Sequence, residues 1–228
     1  MKRDSKELIL FDLDGTLVDS APDLALAVNH MLETLSLETF DSELIRSWVG
    51  NGAEVLVKRG LSGSAVINED IDASLVSQAL EIFLSFYAKY LCVATVTYTN
   101  VHNTLERLQK AGYRMVIVTN KPFDFVKPLL DGLDLTHFFE LTVGGDSLDR
   151  RKPDPLPLLH VCETLDLTVD QCIMVGDSKN DILAAKASGM QSIGVSYGYN
   201  YGEDISVYEP DFVVDDFADI FSILGEKL

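Results

Sequence analysis

Asp12 and Asp14, separated only by Leu13, end the apolar run Leu8-Ile9-Leu10-Phe11 and lead into Gly15-Thr16. An apolar run of strand length that delivers carboxylates to a glycine turn is how an open α/β sheet presents chemistry at its strand ends. Side chains alternate along a strand, so the two acids share a face if extension continues, and Gly15 lets the backbone turn beyond them. Two carboxylates so close repel unless a proton or a cation intervenes. A hard divalent ion such as Mg²⁺ takes oxygen ligands, keeps several waters and accepts a substrate phosphate, which makes it the expected neutraliser. Asp, Gly and Thr are also ordinary turn formers, so a capped turn is the competing reading of this stretch by itself.

Three later stretches carry matching chemistry. Thr119 follows the apolar run Arg114-Met115-Val116-Ile117-Val118, where its hydroxyl and the adjacent amide could hold a phosphate oxygen or simply cap a helix. Lys152 lies between Arg151 and Pro153 in a stretch stiffened by Pro153 and Pro155. It is the cation expected to balance a phosphoryl group, against the commoner fate of a solvated surface lysine. Asp177 ends the run Cys172-Ile173-Met174-Val175-Gly176, and Asp181 follows one helical turn later. That spacing suits one metal ligand with a supporting acid behind it, or helix N-capping.

These residues need strands behind them and helices around them. From about Ala21 to Tyr90 the chain reads as helical: Leu24, Val28, Met31, Leu32 and Leu35 recur at helical spacing after Pro22. A second helix is expected over Ser42–Val49, broken at Gly50-Asn51-Gly52, and a third from Glu54 towards Gly60. After a polar loop from Ser62 to Asp72, Leu75, Ala79, Ile82, Phe83 and Phe86 form another apolar stripe. This is a small helical bundle inserted after the first strand, suited to close over the acidic turn as a lid.

From about residue 95 strand and helix alternate. Helices are expected over Val101–Ala111, Phe125–Leu133, Leu158–Leu165 and Asp181–Ser188, and strands over Arg114–Val118, Phe138–Val143, Cys172–Val175, Ser192–Val195 and Phe212–Val214. Repeated strand then helix means a doubly wound parallel sheet with its reactive loops at the strand C-termini.

The composition narrows the function. The chain has 228 residues, 47% hydrophobic, enough for one large domain and a smaller one. Its 18 basic and 36 acidic residues give a net charge of −18, which argues against nucleic-acid or anionic-membrane partners. An anionic substrate then needs a bound metal and local cations. Cys92, Cys162 and Cys172 are too sparse for a disulfide framework and read as buried apolar residues. Met1-Lys2-Arg3-Asp4 runs towards the first strand without an apolar leader, and a cytoplasmic setting is expected.

Asp12-Leu13-Asp14-Gly15-Thr16, Thr119-Asn120, Lys152-Pro153 and Gly176-Asp177-Ser178-Lys179-Asn180-Asp181 together resemble, in order and spacing, the four motifs of the haloacid dehalogenase-like phosphatases. The resemblance covers nearly the whole chain. Trp48-Val49-Gly50-Asn51-Gly52-Ala53, Val118-Thr119-Asn120-Lys121-Pro122, Gly144-Gly145-Asp146 and Ser196–Gly202 are similar to stretches of the bacterial phosphoglycolate phosphatases within that family. The resemblance implies a Rossmann-like α/β core over residues 1–16 and 92–228, with 17–91 as a helical cap domain.

It also implies Mg²⁺-dependent hydrolysis of a phosphomonoester, most closely 2-phosphoglycolate, through an aspartyl-phosphate. Asp12 would be the nucleophile and Asp14 the general acid and base, with Mg²⁺ held by Asp12, the Asp14 backbone carbonyl and Asp177. Ser178 and Asp181 would support the metal, while Thr119, Asn120 and Lys152 would hold the phosphoryl group. In the chain's own residues, the cap loop Gly50, Asn51 and Gly52 with nearby Arg46, Lys58 and Arg59 could read the substrate carboxylate, against the commoner fate of lysine and arginine on a solvated surface. The expected partner is a small phosphorylated metabolite, met by a monomer or homodimer.

Other chemistries share parts of this pattern. A haloacid dehalogenase has no alkoxide for Asp14 to protonate. A phosphosugar mutase, or a phosphatase of another small metabolite including pyrophosphate, keeps all four motifs. A receiver-type signalling module or a binding protein lacks the helical insertion.

Overall fold

The computed structural model describes residues 6–225, so the reading of Met1–Asp4 lies outside the described residues. β1 (Leu8–Phe11) is followed by a two-residue β2 (Val18–Asp19) and by α1 (Ala21–Thr34), α2 (Ser42–Arg46), α3 (Ala53–Ser62) and α4 (Ala73–Tyr90). β3 (Val96–Thr97) pairs antiparallel with β2. Strand and helix then alternate through α5 (Val101–Lys110), β4 (Arg114–Val118), α6 (Phe123–Gly132), β5 (Leu141–Val143), α7 (Leu156–Thr164), β6 (Cys172–Gly176), α8 (Lys179–Ser188) and β7 (Gln191–Val195). β8 (Phe212–Val214) and α9 (Asp219–Leu224) complete the described chain.

The main sheet has the order β5-β4-β1-β6-β7-β8, and every neighbouring pair in it is parallel. From β1 the chain fills one side of the sheet with β4 and β5, then returns to fill the other with β6 to β8. The switch therefore falls between β1 and β6, and a crevice opens at their C-terminal ends. Phe11 is in register with Ile117 of β4 and Val175 of β6, so Asp12, Thr119 and Asp177 leave neighbouring strands at nearly the same level.

A parallel sheet covered on both faces needs strands apolar on both sides, and β1 is wholly buried along its length. Ile9, Phe11, Ile117 and Ile173 pack towards Leu105, Leu108 and Ile220 of α5 and α9. Leu8, Leu10, Val116 and Met174 pack towards Leu158, Val161, Ala184 and Ala185 of α7 and α8. Each large apolar side chain buried this way contributes about 1.5–3 kcal/mol, which fixes the strand ends that carry the acids. Helices α1 to α4 share a separate core in which Val28, Met31, Trp48, Leu56 and Phe83 meet.

Several boundaries differ from the sequence expectation for local reasons. α2 stops at Arg46 rather than Val49, because Trp48 and Val49 turn inward ahead of Gly50 and Gly52, whose φ angles are +123° and +85°. The strand expected from Phe138 begins only at Leu141, since Thr136–Phe138 forms a 3₁₀ turn. α8 starts at Lys179, ahead of the expected Asp181, because Ser178 and Asp181 close a capping box. On α4 the buried row is Ala79, Phe83 and Tyr87, so the inward face includes a tyrosine absent from the expected stripe. Cys162 and Cys172 are buried, but Cys92 is only half-buried. The β2–β3 pair and α9 are too short to show a period in the sequence and were not expected.

Candidate active site

Asp12 continues the sheet for one more residue, its N–H donating to the Val175 carbonyl at 2.9 Å. The chain then turns tightly, with Leu17 and Val18 N–H donating back to the Leu13 carbonyl at 2.9 and 3.1 Å. Gly15 is required in this turn. Its φ is +88°, and a Cβ there would lie 2.3 Å from Asp177 Oδ2. Glycine thus allows the β1 turn and the acid at the end of β6 to touch.

Asp177 is buried and accepts from Thr16 Oγ1 at 3.0 Å and from the Tyr199 N–H at 2.7 Å. Asp181, in the first turn of α8, accepts from the Ser178 N–H and hydroxyl at 3.0 and 2.9 Å through one oxygen. Its other oxygen pairs with Lys152 Nζ at 2.6 Å. Lys152 Nζ also donates to the Val118 carbonyl and lies 3.0 Å from Asp12 Oδ1, with its side chain 1% exposed. The Asp12 contact is close enough for ion pairing but is not aligned as a hydrogen bond, so this buried oxygen has no hydrogen-bond partner.

Carboxylate oxygens of Asp12, Asp177 and Asp181 can all lie within 4.8 Å of one another. Such crowding has an electrostatic cost. Burial, only partly offset by Lys152 and reinforced by Asp181 and Asp14, pushes the Asp12 carboxyl up to about 7. Burial, then Asp181 and Asp12, pushes Asp177 well above the carboxylate range. For Lys152 burial acts to lower the value, yet Asp12 and Asp181 outweigh it and hold the ammonium charged. Three clustered acids share one lysine, and the buried Asp12 oxygen beside it accepts no aligned hydrogen bond, so the centre is short of positive charge. An all-oxygen donor set of this kind fits a hard divalent cation.

Asp14 faces a different environment. Its carboxylate accepts from Ser20 Oγ at 2.5 Å and pairs with Lys121 Nζ at 3.1 Å. Lys121 is buried and donates to the Tyr87 hydroxyl at 2.7 Å, linking the core to α4. Burial alone would lower the Lys121 ammonium, but Asp14 and Tyr87 hold it above its ordinary value. Because the Ser20 hydroxyl is used on Asp14, the N-terminus of α1 is met by the Tyr199 hydroxyl, which accepts from the Ser20 and Ala21 N–H groups at 2.8 and 3.0 Å.

The Thr119 hydroxyl lines the cavity and accepts from the Lys121 N–H at 3.2 Å, but its own N–H donates to Val143 of β5 at 2.9 Å. That amide is committed to the sheet. Asn120 Nδ2 donates to the Lys152 carbonyl at 3.0 Å and to the Gly50 carbonyl at 3.1 Å, and Asn180 Nδ2 reaches the same Gly50 oxygen at 3.0 Å. Two core asparagines therefore hold one carbonyl of the loop between α2 and α3. Gly50 and Gly52 line the cavity, whereas Asn51 does not.

The cations expected around this loop are occupied elsewhere. Arg46 pairs with Asp19 at 2.6 Å, Lys58 with Glu54 at 2.5 Å, and Arg59 donates to the Trp48 carbonyl at 2.5 Å. None of the three lines the cavity. Its lining includes Asp12, Asp14, Thr119 and Lys121 beside Leu24 and Phe83. Lys121 and Tyr87 are the site residues that sequence reasoning missed. The available signals were a lysine directly after Thr119-Asn120 and a tyrosine one helical turn beyond Phe83.

The arrangement could support nucleophilic and acid–base chemistry at a carboxylate centre whose donors fit a hard divalent cation. Residues 9–195 match the model of the haloacid dehalogenase-like hydrolases. The chain is 53% identical over 220 residues to a phosphoglycolate phosphatase of Colwellia psychrerythraea, covering 96% of this chain and 97% of the relative. It is 44% identical to a phosphoglycolate phosphatase of Vibrio cholerae, with the same shares covered. A crystal structure of a predicted phosphoglycolate phosphatase from Haemophilus somnus superposes with a TM-score of 0.90 at 39% identity, covering 97% of this chain and 99% of that one. Among the described residues no helix is long and apolar enough to cross a membrane. The chain belongs to the haloacid dehalogenase-like hydrolase family.

Proposed function

We propose that the chain is a Mg²⁺-dependent phosphatase that hydrolyses a small phosphomonoester, 2-phosphoglycolate, to an alcohol and inorganic phosphate. The observation that carries this reading is the division of labour between Asp12 and Asp14. Asp12 lies against Lys152 among acids, while Asp14 is turned away to Ser20 and Lys121. Two carboxylates in contrasting surroundings suit two different roles.

In the first step an Asp12 oxygen attacks phosphorus, the bond to the leaving oxygen breaks, and Asp14 gives that oxygen a proton. In the second step water attacks the aspartyl-phosphate, Asp14 takes a proton from it, and the Asp12–phosphorus bond breaks to release phosphate. Lys152 supplies positive charge beside the transferring group, and the Thr119 hydroxyl donates to one of its oxygens. Asn120 acts on the group indirectly, by fixing the Lys152 carbonyl and the Gly50 loop. Asp12, Asp177 and the Asp14 backbone carbonyl would hold Mg²⁺, with Asp181 and Ser178 behind them. When bound, the ion neutralises the carboxylates and withdraws charge from the phosphate.

Residues 17–91 serve as a cap whose Gly50 and Gly52 close one side of the cavity. We read the enzyme as a cytoplasmic monomer or homodimer, and its net charge of −18 supports action without nucleic acid.

The test is phosphate release from a panel of 2-phosphoglycolate, pyrophosphate, hexose phosphates and nucleotides, with and without Mg²⁺. Fastest release from 2-phosphoglycolate, lost with a chelator, is the expected result. No phosphate from any ester would overturn the phosphatase reading, and a hexose phosphate turning over fastest would overturn the substrate.

A further inference from the structure

Lys121 lies at the junction of the core and α4, and the chemistry proposed above leaves it without a task. It is the only cation lining the cavity among the described residues, and it is 5% exposed. Much of the remaining wall is apolar, with Leu24, Val49, Leu56, Phe83 and Phe125 facing in. A second anionic group on a ligand whose phosphate sits at Asp12 therefore has one place to go.

We infer that Lys121 is a specificity-determining residue that binds a carboxylate on the organic end of the substrate and so selects short phosphorylated carboxylic acids. This rests on the phosphatase reading of the same cavity.

The contacts of Lys121 suit an exchange of partners. Its Nζ is held closely by the Tyr87 hydroxyl, at 2.7 Å, and stands over that ring 4.7 Å from the centroid. Its distances to the two Asp14 oxygens are 3.1 and 3.2 Å, longer than the roughly 2.7–2.9 Å of a strong ammonium–carboxylate bond. Tyr87 thus fixes the ammonium, and Asp14 is the looser partner that a ligand carboxylate can share or replace. Lys121 meets Asp14, two residues from Asp12 in the same turn, which puts the carboxylate and the phosphate on a short chain.

The strength of selection follows from what a neutral ligand leaves behind. A site whose buried polar group is stranded by an analogue can reject it by about 10⁴–10⁵-fold. Lys121 keeps Asp14 and Tyr87 when the ligand lacks a carboxylate, so a smaller factor of about 10²-fold is expected.

The experiment compares two non-hydrolysable phosphonates of similar shape, 3-phosphonopropionate and propylphosphonate, which differ by carboxylate against methyl. Binding to the Mg²⁺-loaded protein is measured by calorimetry, so turnover is not needed. Wild type should bind 3-phosphonopropionate about 100-fold more tightly. In Lys121→Met the ratio should fall below about 5-fold, chiefly through weaker binding of the carboxylate, and Lys121→Arg should keep part of it. A wild-type ratio near one, or a ratio unchanged in Lys121→Met, would overturn the assignment. A wild-type ratio near one overturns the assignment by itself, and Lys121→Gln, with the same expected collapse of the ratio, replaces Lys121→Met if that variant fails to fold. If wild type binds neither phosphonate, the phosphatase reading of the cavity fails; if it binds both equally, that reading survives and only the role of Lys121 falls.

Discussion

Lys152 and Lys121 are both buried beside an aspartate of the same turn, yet they are anchored in different ways. Lys152 has all its partners in the α/β core, namely Asp12, Asp181 and the Val118 carbonyl. Lys121 shares its charge between Asp14 of the core and Tyr87 of α4. The first is a fixed charge that exists whether or not the helices are closed over the site. The second depends on α4 being in place, so its environment reports on closure. On the proposed reading, the charge needed at every turnover would sit on the rigid sheet, and the group that meets the variable end of a substrate would sit where two layers join.

Removing the nucleophile should separate the two centres most strongly. Asp12→Asn is expected to lower phosphate release by at least about 10⁴-fold, in the range seen when a covalent nucleophile is lost. Its melting temperature without Mg²⁺ should hold or rise, because the change relieves carboxylate crowding around Asp177 and Asp181. Near-parental turnover would remove Asp12 from the mechanism.

Asp14→Asn should act on a different step. The loss in kcat/KM for 2-phosphoglycolate, a poor leaving group, is expected to be roughly 10²–10⁴-fold, and much smaller in kcat/KM for an aryl phosphate whose phenolate leaves with little help, while kcat for both esters waits on the shared dephosphorylation step. Equal losses in kcat/KM on both esters would leave Asp14 a purely structural or electrostatic role.

The crowded acids also set a pH dependence. In the metal-free protein the Asp12 carboxyl is raised from 3.8 to about 7, so the folded state binds its proton more tightly than the unfolded chain. The stability it contributes is full below 3.8 and is lost as pH rises through about 7. Mg²⁺ needs the ionised forms, so its affinity should climb with pH through about 7 as Asp12 ionises, and the raised Asp177 carboxyl extends the climb. The Mg²⁺-induced rise in melting temperature should accordingly be larger at pH 8 than at pH 6. A rise independent of pH would mean that Asp12 is not displaced from its proton by the ion.

The smallest effect belongs to the layer junction. Tyr87→Phe removes one hydrogen bond to a charged group while leaving Lys121 its Asp14 partner. The expected result is a rise in KM for 2-phosphoglycolate of about 3–10-fold with kcat little changed, the scale of a single such bond. A collapse of kcat instead would place Tyr87 in the chemistry rather than in holding Lys121.

The difference between the centres also marks what the sequence made legible. Asp12 and Asp177 directly follow the apolar runs of β1 and β6, so strand ends and register place them together without tertiary detail. Lys152 stands in the loop between the short β5 and α7, and only its contacts with Asp12 and Asp181 show that its side chain returns to the strand ends. Lys121 and Tyr87 are brought together by the seating of α4 on the core, and no local period encodes that contact. Tyr87 was hidden because the sequence period alone does not fix which row of α4 faces inward; Ile82 and Phe86 fit a stripe as well as Phe83 does. For Arg46, Lys58 and Arg59 the sequence leaves substrate recognition and a surface fate open, and only the fold shows that Asp19, Glu54 and the Trp48 carbonyl engage them.

Covalent trapping tests the central claim that Asp12 carries the phosphoryl group while Asp14 manages protons. Asp14→Asn mixed with an aryl phosphate and Mg²⁺, quenched in acid and digested, should yield a peptide bearing one phosphoryl group on Asp12, formed with a burst of phenol before slow turnover. Release of phenol with no burst and no phosphorylated peptide, at a rate matching phosphate release, would contradict the account.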